Sequence, residues 1–226
     1  MPAEEGWNMR TQPSTPHSIV FAGGEAHAQP SPDTDALVIA ADSGYDHALA
    51  AGIDVDILVG DLDSISSDAL FHAENTAVSI ERHDAAKDAT DVELSLDRAV
   101  ASGATTIDLY GGEGGELGHL LGVFSLIAAD KYRETTIRWH TGSGVAWVVR
   151  SDHPLSVATA MGAGVSLIPV TDITGVTTTG LVWTLNDETL PRGTSRGLSN
   201  ETNEPEITVT VRSGVLLVNV EGPQTQ

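Results

Sequence analysis

The pattern of apolar runs changes near residue 143, and this change restricts the folds that the chain can adopt. Before that point, short apolar runs that end in glycine or aspartate alternate with helical patterns, as in ALVIAADSG followed by YDHALAAG. Such alternation predicts an α/β layer with a largely parallel sheet. After that point the runs are short, rich in Val and Thr, and separated by turn residues. This second pattern predicts a small all-β domain, which we expect to be a sandwich.

We therefore predict three segments, which are a flexible tail at 1–17, an α/β domain at 18–142 and a β-sandwich domain at 143–226. The tail has early acidic residues and no apolar centre, so it does not resemble a secretory signal. No apolar run is long enough to cross a bilayer, and we expect no membrane partner. The sequence has no cysteine, which excludes disulfides, thiolate metal sites and cysteine nucleophiles. A cytoplasmic location fits these features best.

The chain is strongly acidic, with 32 Asp and Glu residues against 11 Lys and Arg residues and a formal net charge of −21. A surface of this sign repels phosphate backbones, so we expect no nucleic-acid partner. Solvation of an acidic surface is the simplest explanation of the charge. A nucleotide triphosphate that enters this field needs a metal cation to mask its own charge.

Three acid-bearing stretches each follow a predicted strand. They contain Asp42 in AADSG, Asp61 and Asp63 in GDLDS, and Asp88 and Asp91 in KDATD. Because ligands of open α/β sheets bind beyond the carboxyl ends of the strands, we expect these acids to converge there. The two acids of GDLDS point to the same side of an extended chain. Converging carboxylates without a His or Cys partner favour Mg²⁺, which prefers oxygen ligands.

Several of these residues also have a purely structural explanation. Asp91 could favour the first turn of a helix that Thr90 caps, and Asp88 could be a solvated loop residue. Lys87, one of two lysines in the chain, could contact phosphate or form a surface ion pair. Trp183 lies in the predicted strand VTTTGLVWTL, where a tryptophan is more often core than stacking platform. Residue type alone leaves these alternatives open, whereas the two acids of GDLDS favour a functional role.

Taken together, the motifs resemble those of the thiamine pyrophosphokinase family. The matching stretches cover nearly the whole chain in order and are AADSGYDHALAAGI, DILVGDLDSIS, KDATDVELSLDRA, GGEGGELGHLL, SLIPV, TTTGLVWTL and GTSRGLSNE. The resemblance implies a Rossmann-like catalytic domain, with a mostly parallel sheet, followed by a small all-β sandwich domain that binds thiamine. It also implies a homodimer in which thiamine lies between the two chains.

The resemblance assigns site residues by their position in these motifs. The catalytic carboxylates are Asp42, Asp61, Asp63 and Asp91, of which the Mg²⁺ ligands are Asp61, Asp63 and Asp91. The ATP-binding residues are Ser64, Lys87, Asp88 and Thr90. The thiamine-binding residues are Trp183, Ser199 and Asn200, and the resemblance places Trp183 against the pyrimidine ring rather than in the core.

The resemblance also implies the reaction. The primary hydroxyl of thiamine attacks the β-phosphorus of ATP, AMP leaves, and thiamine diphosphate forms; such a transfer depends mainly on positioning and charge neutralisation. The glycine-rich turn departs from the usual G-G-R-L-D-H of the family, because Glu116 and Gly118 replace an arginine and an aspartate. A catalytically weakened relative that binds thiamine or its diphosphate is therefore an alternative. A different nucleotide-dependent transferase on the same scaffold is a third hypothesis.

Overall fold

A computed structural model of the chain describes residues 17–25, 30 and 35–222. The strands of this part form one ten-stranded sheet and one four-stranded sheet. The predicted N-terminal tail lies outside the described residues, apart from His17, at which the first strand begins. None of the helices in these ranges has both the length and the apolar content needed to cross a membrane.

Six parallel strands form the first part of the ten-stranded sheet. They are β1 (His17–Phe21), β2 (Leu37–Ala41), β3 (Ile57–Gly60), β4 (Ser79–Arg82), β5 (Thr106–Tyr110) and β6 (Thr136–Thr141). Their order in the sheet is β6-β5-β1-β2-β3-β4, and each neighbouring pair is parallel. From β1 the chain adds β2, β3 and β4 on one side of the sheet, whereas β5 and β6 lie on the other side of β1. The edge between these two strands is therefore a topological switch point, where α/β proteins bind ligands.

Helices cover both faces of these strands. They are α1 (Gly44–Ala50), α2 (Ser67–Glu74), α3 (Asp91–Ala101) and α4 (Leu117–Ile127), followed by a short 3-10 helix at Asp130–Tyr132. α3 buries Leu96 in the core on one face of the sheet, and α1 buries Tyr45 in the core on the other. Every residue of β2 and β3 is buried, because helices lie on both of their faces. The Thr90 hydroxyl accepts a hydrogen bond from the Glu93 amide at 3.2 Å, which confirms the predicted start of α3.

The remaining strands form the β-rich part of the molecule. They are β7 (Gly144–Val149), β8 (Leu155–Ala158), β9 (Gly164–Pro169), β10 (Ile173–Thr179), β11 (Glu188–Leu190), β12 (Asn200–Glu201), β13 (Glu206–Thr210) and β14 (Leu216–Glu221). β7 pairs antiparallel with β6, and β14, β9 and β12 then complete the large sheet. The second sheet, in the order β11-β10-β13-β8, packs against this end over an apolar core. The predicted fold, an α/β layer followed by a β-rich part, is confirmed.

The structure corrects the predicted strand VTTTGLVWTL. β10 ends at Thr179, and a Cβ at the next residue, Gly180, would lie only 2.2 Å from the carbonyl oxygen of Glu206. Gly180 has a φ of +73° and directs the chain out of the sheet, so Trp183 lies in a loop. The Val- and Thr-rich pattern continues through this glycine, which is why it predicts a strand that is too long.

Candidate active site

Three aspartates meet at the carboxyl edge of the parallel strands, and we call Asp42, Asp61 and Asp91 the carboxylate cluster. One carboxylate oxygen of each lies within 4.8 Å of the others. Asp42 follows β2, Asp61 follows the neighbouring β3, and Asp91 is the first residue of α3. Parallel strands end at one edge of a sheet, and helices that return across the sheet start from that edge. The topology therefore brings these three acids together, as the sequence predicts for strand-terminal acids.

The backbone beside the carboxylate cluster is shaped to let the acids approach one another. A Cβ at Gly60 would lie 3.2 Å from the Cβ of Asp42 and 3.2 Å from the Cγ of Asp91, so a larger residue would push the acids apart. Asp42 and Leu62 have φ values of +46° and +63°, in the left-handed region. This conformation costs a residue with a side chain on the order of 1 kcal/mol, and such strain is concentrated at functional sites.

Asp42 is the most buried member of the cluster, with 6% of its surface exposed. Its carboxylate accepts hydrogen bonds from the Ser64 amide at 3.3 Å, the Ser64 hydroxyl at 2.8 Å and the Ile65 amide at 3.0 Å. These bonds hold the loop that follows β3. Two residues with predicted site roles, Asp42 and Ser64, are thus bonded to each other.

Lys87 is the cation of the carboxylate cluster. Its Nζ lies 3.2 Å from Oδ2 of Asp61 and 2.9 Å from Oδ1 of Asp91, and its side chain is mostly buried. Burial alone lowers the pKa of Lys87, but the bonds to the two carboxylates outweigh it and raise the pKa above its usual value. The hydrogen bond from Lys87 in turn lowers the pKa of Asp61.

The carboxylate cluster carries more negative than positive charge. Three carboxylates and one ammonium group leave a formal charge of −2. Oδ1 of Asp61 is buried and has no hydrogen-bond partner among the described residues. The donors are all carboxylate oxygens, which Mg²⁺ prefers, and one oxygen of each acid lies within 4.8 Å of the others. The residues present therefore fit a divalent cation of this kind.

Three other predicted site residues, Asp63, Asp88 and Thr90, are exposed and lie within three positions of a cluster member along the chain. Asp63 is exposed, and the charge of Asp61 raises the pKa of Asp63. Asp88 is also exposed, and Thr90 uses its hydroxyl to cap α3. Ser64 and Lys87 are thus bonded to members of the cluster. Asp63 lies close enough to Asp61 and Asp42 for their charges to act on it, whereas Asp88 and Thr90 form no hydrogen bond or ion pair with a cluster member among the described residues.

The glycine-rich turn connects β5 to α4 at the switch point between β1 and β5. The Gly112 amide donates a hydrogen bond to the Gly23 carbonyl at 2.7 Å, which ties the turn to the end of β1. Glu116 precedes the first residue of α4, is exposed, and makes no capping bond through its side chain. A Cβ at Gly118 would meet nothing within 4 Å. Helix N-termini bind phosphates through their free amides, and here an acidic side chain stands at that position.

A groove of about 480 Å³ opens in the β-rich part, and Leu167, Val182, Trp183, Arg196 and Asn200 contribute to its lining. Trp183 is 62% exposed, so its indole is a free apolar surface and not part of the core. An exposed aromatic face of this size is suited to stacking on a planar ligand.

Asn200 fixes the loop that carries Trp183. Its Oδ1 accepts hydrogen bonds from the Trp183 amide at 3.2 Å and the Glu201 amide at 2.9 Å, and its Nδ2 donates to the Trp183 carbonyl at 2.8 Å. Asn200 is 8% exposed, so its amide group is both buried and engaged by the backbone. The preceding residue, Ser199, is exposed and has a φ of +58°. The side chain of Asn200 therefore orients Trp183 within the groove.

Sequence reasoning missed two polar features. The first is Arg196, which lines the groove and forms an ion pair with Glu188; the stretch GTSRGLSNE contains this arginine but does not by itself indicate its position. The second feature is the Asp108 cluster, which consists of Asp108, His17, Arg138 and His140. Its members come from β1, β5 and β6, so only the pairing of these strands could have revealed it.

Two family descriptions match the chain, in the order of its two parts. "Thiamin pyrophosphokinase, catalytic domain" matches residues 31–138, and "Thiamin pyrophosphokinase, vitamin B1 binding domain" matches residues 152–216. The chain belongs to the thiamin pyrophosphokinase family. The first match contains the carboxylate cluster, and the second contains both Trp183 and Asn200.

Individual members of the thiamin pyrophosphokinase family are similar to this chain in sequence and in structure. The thiamine pyrophosphokinase of Bacillus subtilis (strain 168) is 28% identical over 204 residues, which are 88% of this chain and 95% of that relative. A crystal structure of thiamine pyrophosphokinase from Bacillus subtilis has a TM-score of 0.81 and 26% identity, with 91% of this chain and 99% of that chain covered. The structure from Geobacillus thermodenitrificans has a TM-score of 0.79 and 26% identity, with 92% and 99% covered. The family recognised from the sequence is therefore confirmed.

Proposed function

We propose that this protein transfers a diphosphate group from ATP to thiamine, which yields thiamine diphosphate and AMP. The observation that carries the proposal is the carboxylate cluster, in which three carboxylates converge at the carboxyl edge of a parallel sheet and one lysine pairs with two of them. Nucleotides bind at such edges in α/β folds. Membership of the thiamin pyrophosphokinase family supports thiamine as the acceptor.

The acids at this edge would bind Mg²⁺ together with ATP, and we assign Asp61, Asp63 and Asp91 as its ligands. When bound, the ion neutralises charge on the phosphate oxygens. Asp42 would keep the loop after β3 in place through its bonds to Ser64 and Ile65. The local charge of −2 would repel a triphosphate that arrives without a cation. We therefore expect turnover to depend on Mg²⁺.

The reaction exchanges one phosphorus–oxygen bond for another. The hydroxyl oxygen of thiamine would bond to the β-phosphorus while its proton passes to a nearby aspartate. The bond from that phosphorus to the oxygen bridging the α-phosphate breaks, and AMP leaves with this oxygen and its electron pair. The protein contributes by aligning the substrates and by compensating charge. Ser64 and the segment that carries Lys87, Asp88 and Thr90 would face the nucleotide.

The groove would bind thiamine, with Trp183 against the pyrimidine ring and Ser199 beside it. Asn200 would act by holding the Trp183 backbone, since its own amide group is already hydrogen-bonded. Val182, which lines the groove, is 46% exposed, and Leu198, next in sequence to the lining residue Gly197, is 48% exposed, so solvent reaches apolar surface here in one chain. This exposure supports a homodimer in which the second chain covers the groove. Light scattering at assay concentrations should give the mass of two chains.

An assay of AMP release tests the reaction. We expect AMP and thiamine diphosphate to form in equal amounts, only with thiamine and only with Mg²⁺, as measured by chromatography. AMP release that does not depend on thiamine would instead indicate another acceptor, and thus a different transferase.

A substitution in the groove tests the thiamine end. Trp183→Ala should weaken thiamine binding by about 1–3 kcal/mol, measured by calorimetry, because a stacked aromatic surface is lost. Phe71→Ala is the matched control, because Phe71 is an aromatic residue with a similar exposure of 68% on α2. The control should leave thiamine affinity unchanged. Equal affinity in both variants would show that thiamine binds elsewhere.

The second candidate function is thiamine binding without efficient turnover. Glu116 supports this alternative, because it puts an acid at the N-terminus of α4, where the family usually has an arginine one residue before the leucine. The two functions differ in one result. A protein that binds thiamine in the calorimeter but releases no AMP at saturating ATP and Mg²⁺ would be such a binder.

A further inference from the structure

Lys87 contacts two of the three acids to which a divalent cation in the carboxylate cluster would bind. Its ammonium group is 2.9 Å from Oδ1 of Asp91 and 3.2 Å from Oδ2 of Asp61. Mg²⁺ bonds to carboxylate oxygens at about 2.0–2.1 Å and would strongly repel a positive group held on the same oxygens. The ammonium group and the ion therefore compete for the carboxylate cluster.

We propose that Lys87 is an internal counter-ion, which holds the carboxylate cluster together without metal and is displaced when metal and nucleotide enter. The inference rests on the proposed function, because it assumes that the cluster binds a divalent cation. The displaced ammonium group would then contact a nucleotide phosphate. The site would bind free metal weakly, and metal and nucleotide would strengthen the binding of each other, because only the nucleotide offers Lys87 a new partner.

The surroundings of Lys87 allow this exchange. The residue lies between β4 and α3, in a segment without regular secondary structure in which the flanking residues 83–86 and 88 are exposed. A lysine side chain is a flexible four-carbon stem with a compact charge, so its head can change partners without a change in the fold. Oδ1 of Asp61 is buried without a partner among the described residues, so Lys87 does not use the full binding capacity of the cluster.

The other lysine of the chain provides an internal comparison. Lys131 also bridges two carboxylates, with its Nζ 2.6 Å from Glu93 and 2.9 Å from Asp97. Both of these acids lie on α3, as does Asp91, but they are outside the carboxylate cluster. Lys131 thus has the same chemistry as Lys87 without the proposed competition.

The test compares Lys87→Met with Lys131→Met in the full chain, with Mn²⁺ as the probe. Without nucleotide, we expect Lys87→Met to bind Mn²⁺ at least about tenfold more tightly than the wild type in calorimetry, because the competing charge is gone. Its melting temperature should fall in EDTA, where three carboxylates are left without a cation, and should recover with Mn²⁺. Lys131→Met should bind Mn²⁺ as the wild type does. A non-hydrolysable ATP analogue should tighten Mn²⁺ binding in the wild type more than in Lys87→Met.

Mn²⁺ binding by Lys87→Met that is equal to or weaker than that of the wild type would overturn the inference. Lys87→Gln repeats the measurement if Lys87→Met does not fold, and the same criterion applies. The outcomes also separate the inference from the proposed function. Tighter metal binding in Lys87→Met, together with no AMP release by the wild type, would support the counter-ion and reject the transferase. AMP release by the wild type, together with no gain in metal affinity in Lys87→Met, would support the transferase and reject the counter-ion.

Discussion

Two clusters of charged residues in the same sheet differ in the number of donor side chains for each carboxylate. Asp108 lies within β5, is 5% exposed, and has the Nε2 atoms of His17 and His140 at 2.7 Å, while Arg138 donates to it from β6. One carboxylate there faces three donor side chains. The carboxylate cluster has three acids and one lysine, which pairs with only two of them, and a buried oxygen of Asp61 has no partner within the described residues.

This difference is what we expect between a structural cluster and one that binds a ligand. Buried charges must be compensated, and a cluster that is compensated by its own side chains has nothing to gain from a cation. The Asp108 cluster meets that condition, whereas the carboxylate cluster does not. Its position at the end of the strands also gives a ligand access, while Asp108 is closed in by neighbouring strands.

The largest expected effect is on turnover. Asp61→Asn should lower kcat by roughly 10²- to 10³-fold, because charge compensation in the transition state would be lost, while the folded state survives. The measurement is AMP release at saturating substrates, with thermal unfolding as a check on folding. Asp68→Asn, an exposed acid in the first turn of α2, is the control and should keep normal turnover. Near-normal activity in Asp61→Asn would show that the carboxylate cluster is not part of the active site.

The next effect is on stability. Asp108→Asn should lower the free energy of unfolding by about 3 kcal/mol, because it leaves the buried end of Arg138 and two histidines without their charged acceptor. Turnover of the folded variant should stay close to normal. Asp152→Asn is the control, since Asp152 pairs with Arg133 at the surface and such pairs contribute about 1 kcal/mol or less. Equal losses in the two variants in urea unfolding would show that the Asp108 cluster is not structural.

A smaller effect should appear in acid. Burial raises the pKa of Asp108, but hydrogen bonds from His140, Arg138 and His17, with the charge of Arg138, hold it at about 2, below its usual 3.8. The resulting stabilisation is complete above pH 4 and is lost as the pH falls towards 2. It amounts to about 2 kcal/mol. Unfolding free energies of the wild type should therefore decrease across this range, and those of Asp108→Asn should decrease by less; parallel curves would contradict the assignment.

The smallest effect concerns the missing positive charge at the glycine-rich turn. The double change Glu116→Arg with Gly118→Asp should tighten ATP binding by about tenfold, because arginine would bond to phosphate and a repulsive acid would be removed. A side chain at Gly118 meets no steric obstacle within 4 Å, so Gly118→Asp alone is a suitable control with no expected gain. ATP affinity at two Mg²⁺ concentrations measures the effect. An unchanged affinity at both would mean that Glu116 is an ordinary solvated acid.

The sequence was sufficient for features that depend on local order. Asp42 and Asp61 each follow an apolar run, and the general rule for parallel sheets places both at one edge, where the structure has them. The start of α3 was also predictable, because Thr90 and Glu93 have the spacing of a helix cap. Each of these acids directly follows the strand that positions it, and both groups of the helix cap lie within four residues of chain.

Features that depend on strand pairing or on a single backbone angle were not predictable. The Asp108 cluster needs the pairing of β1, β5 and β6, whose residues are up to 123 positions apart, from His17 to His140. Trp183 was placed in a strand because its neighbours are rich in Val and Thr, whereas the φ of Gly180 ends that strand. The bond from Lys87 to Asp61 joins residues separated by α2 and β4, so its geometry could not be derived from the pattern.

The hairpin between β6 and β7 has a mechanical consequence. It pairs Thr141 with Gly144 across a turn of two residues, and a Cβ at Gly144 would lie 2.0 Å from the carbonyl oxygen of Val220 in β14. Backbone hydrogen bonds therefore run without interruption from the α/β layer into the sandwich, and the molecule has no hinge at this junction. Bending the two halves towards each other would break several of these bonds at once. We therefore expect movements within one chain to occur in loops, such as the segment of Lys87.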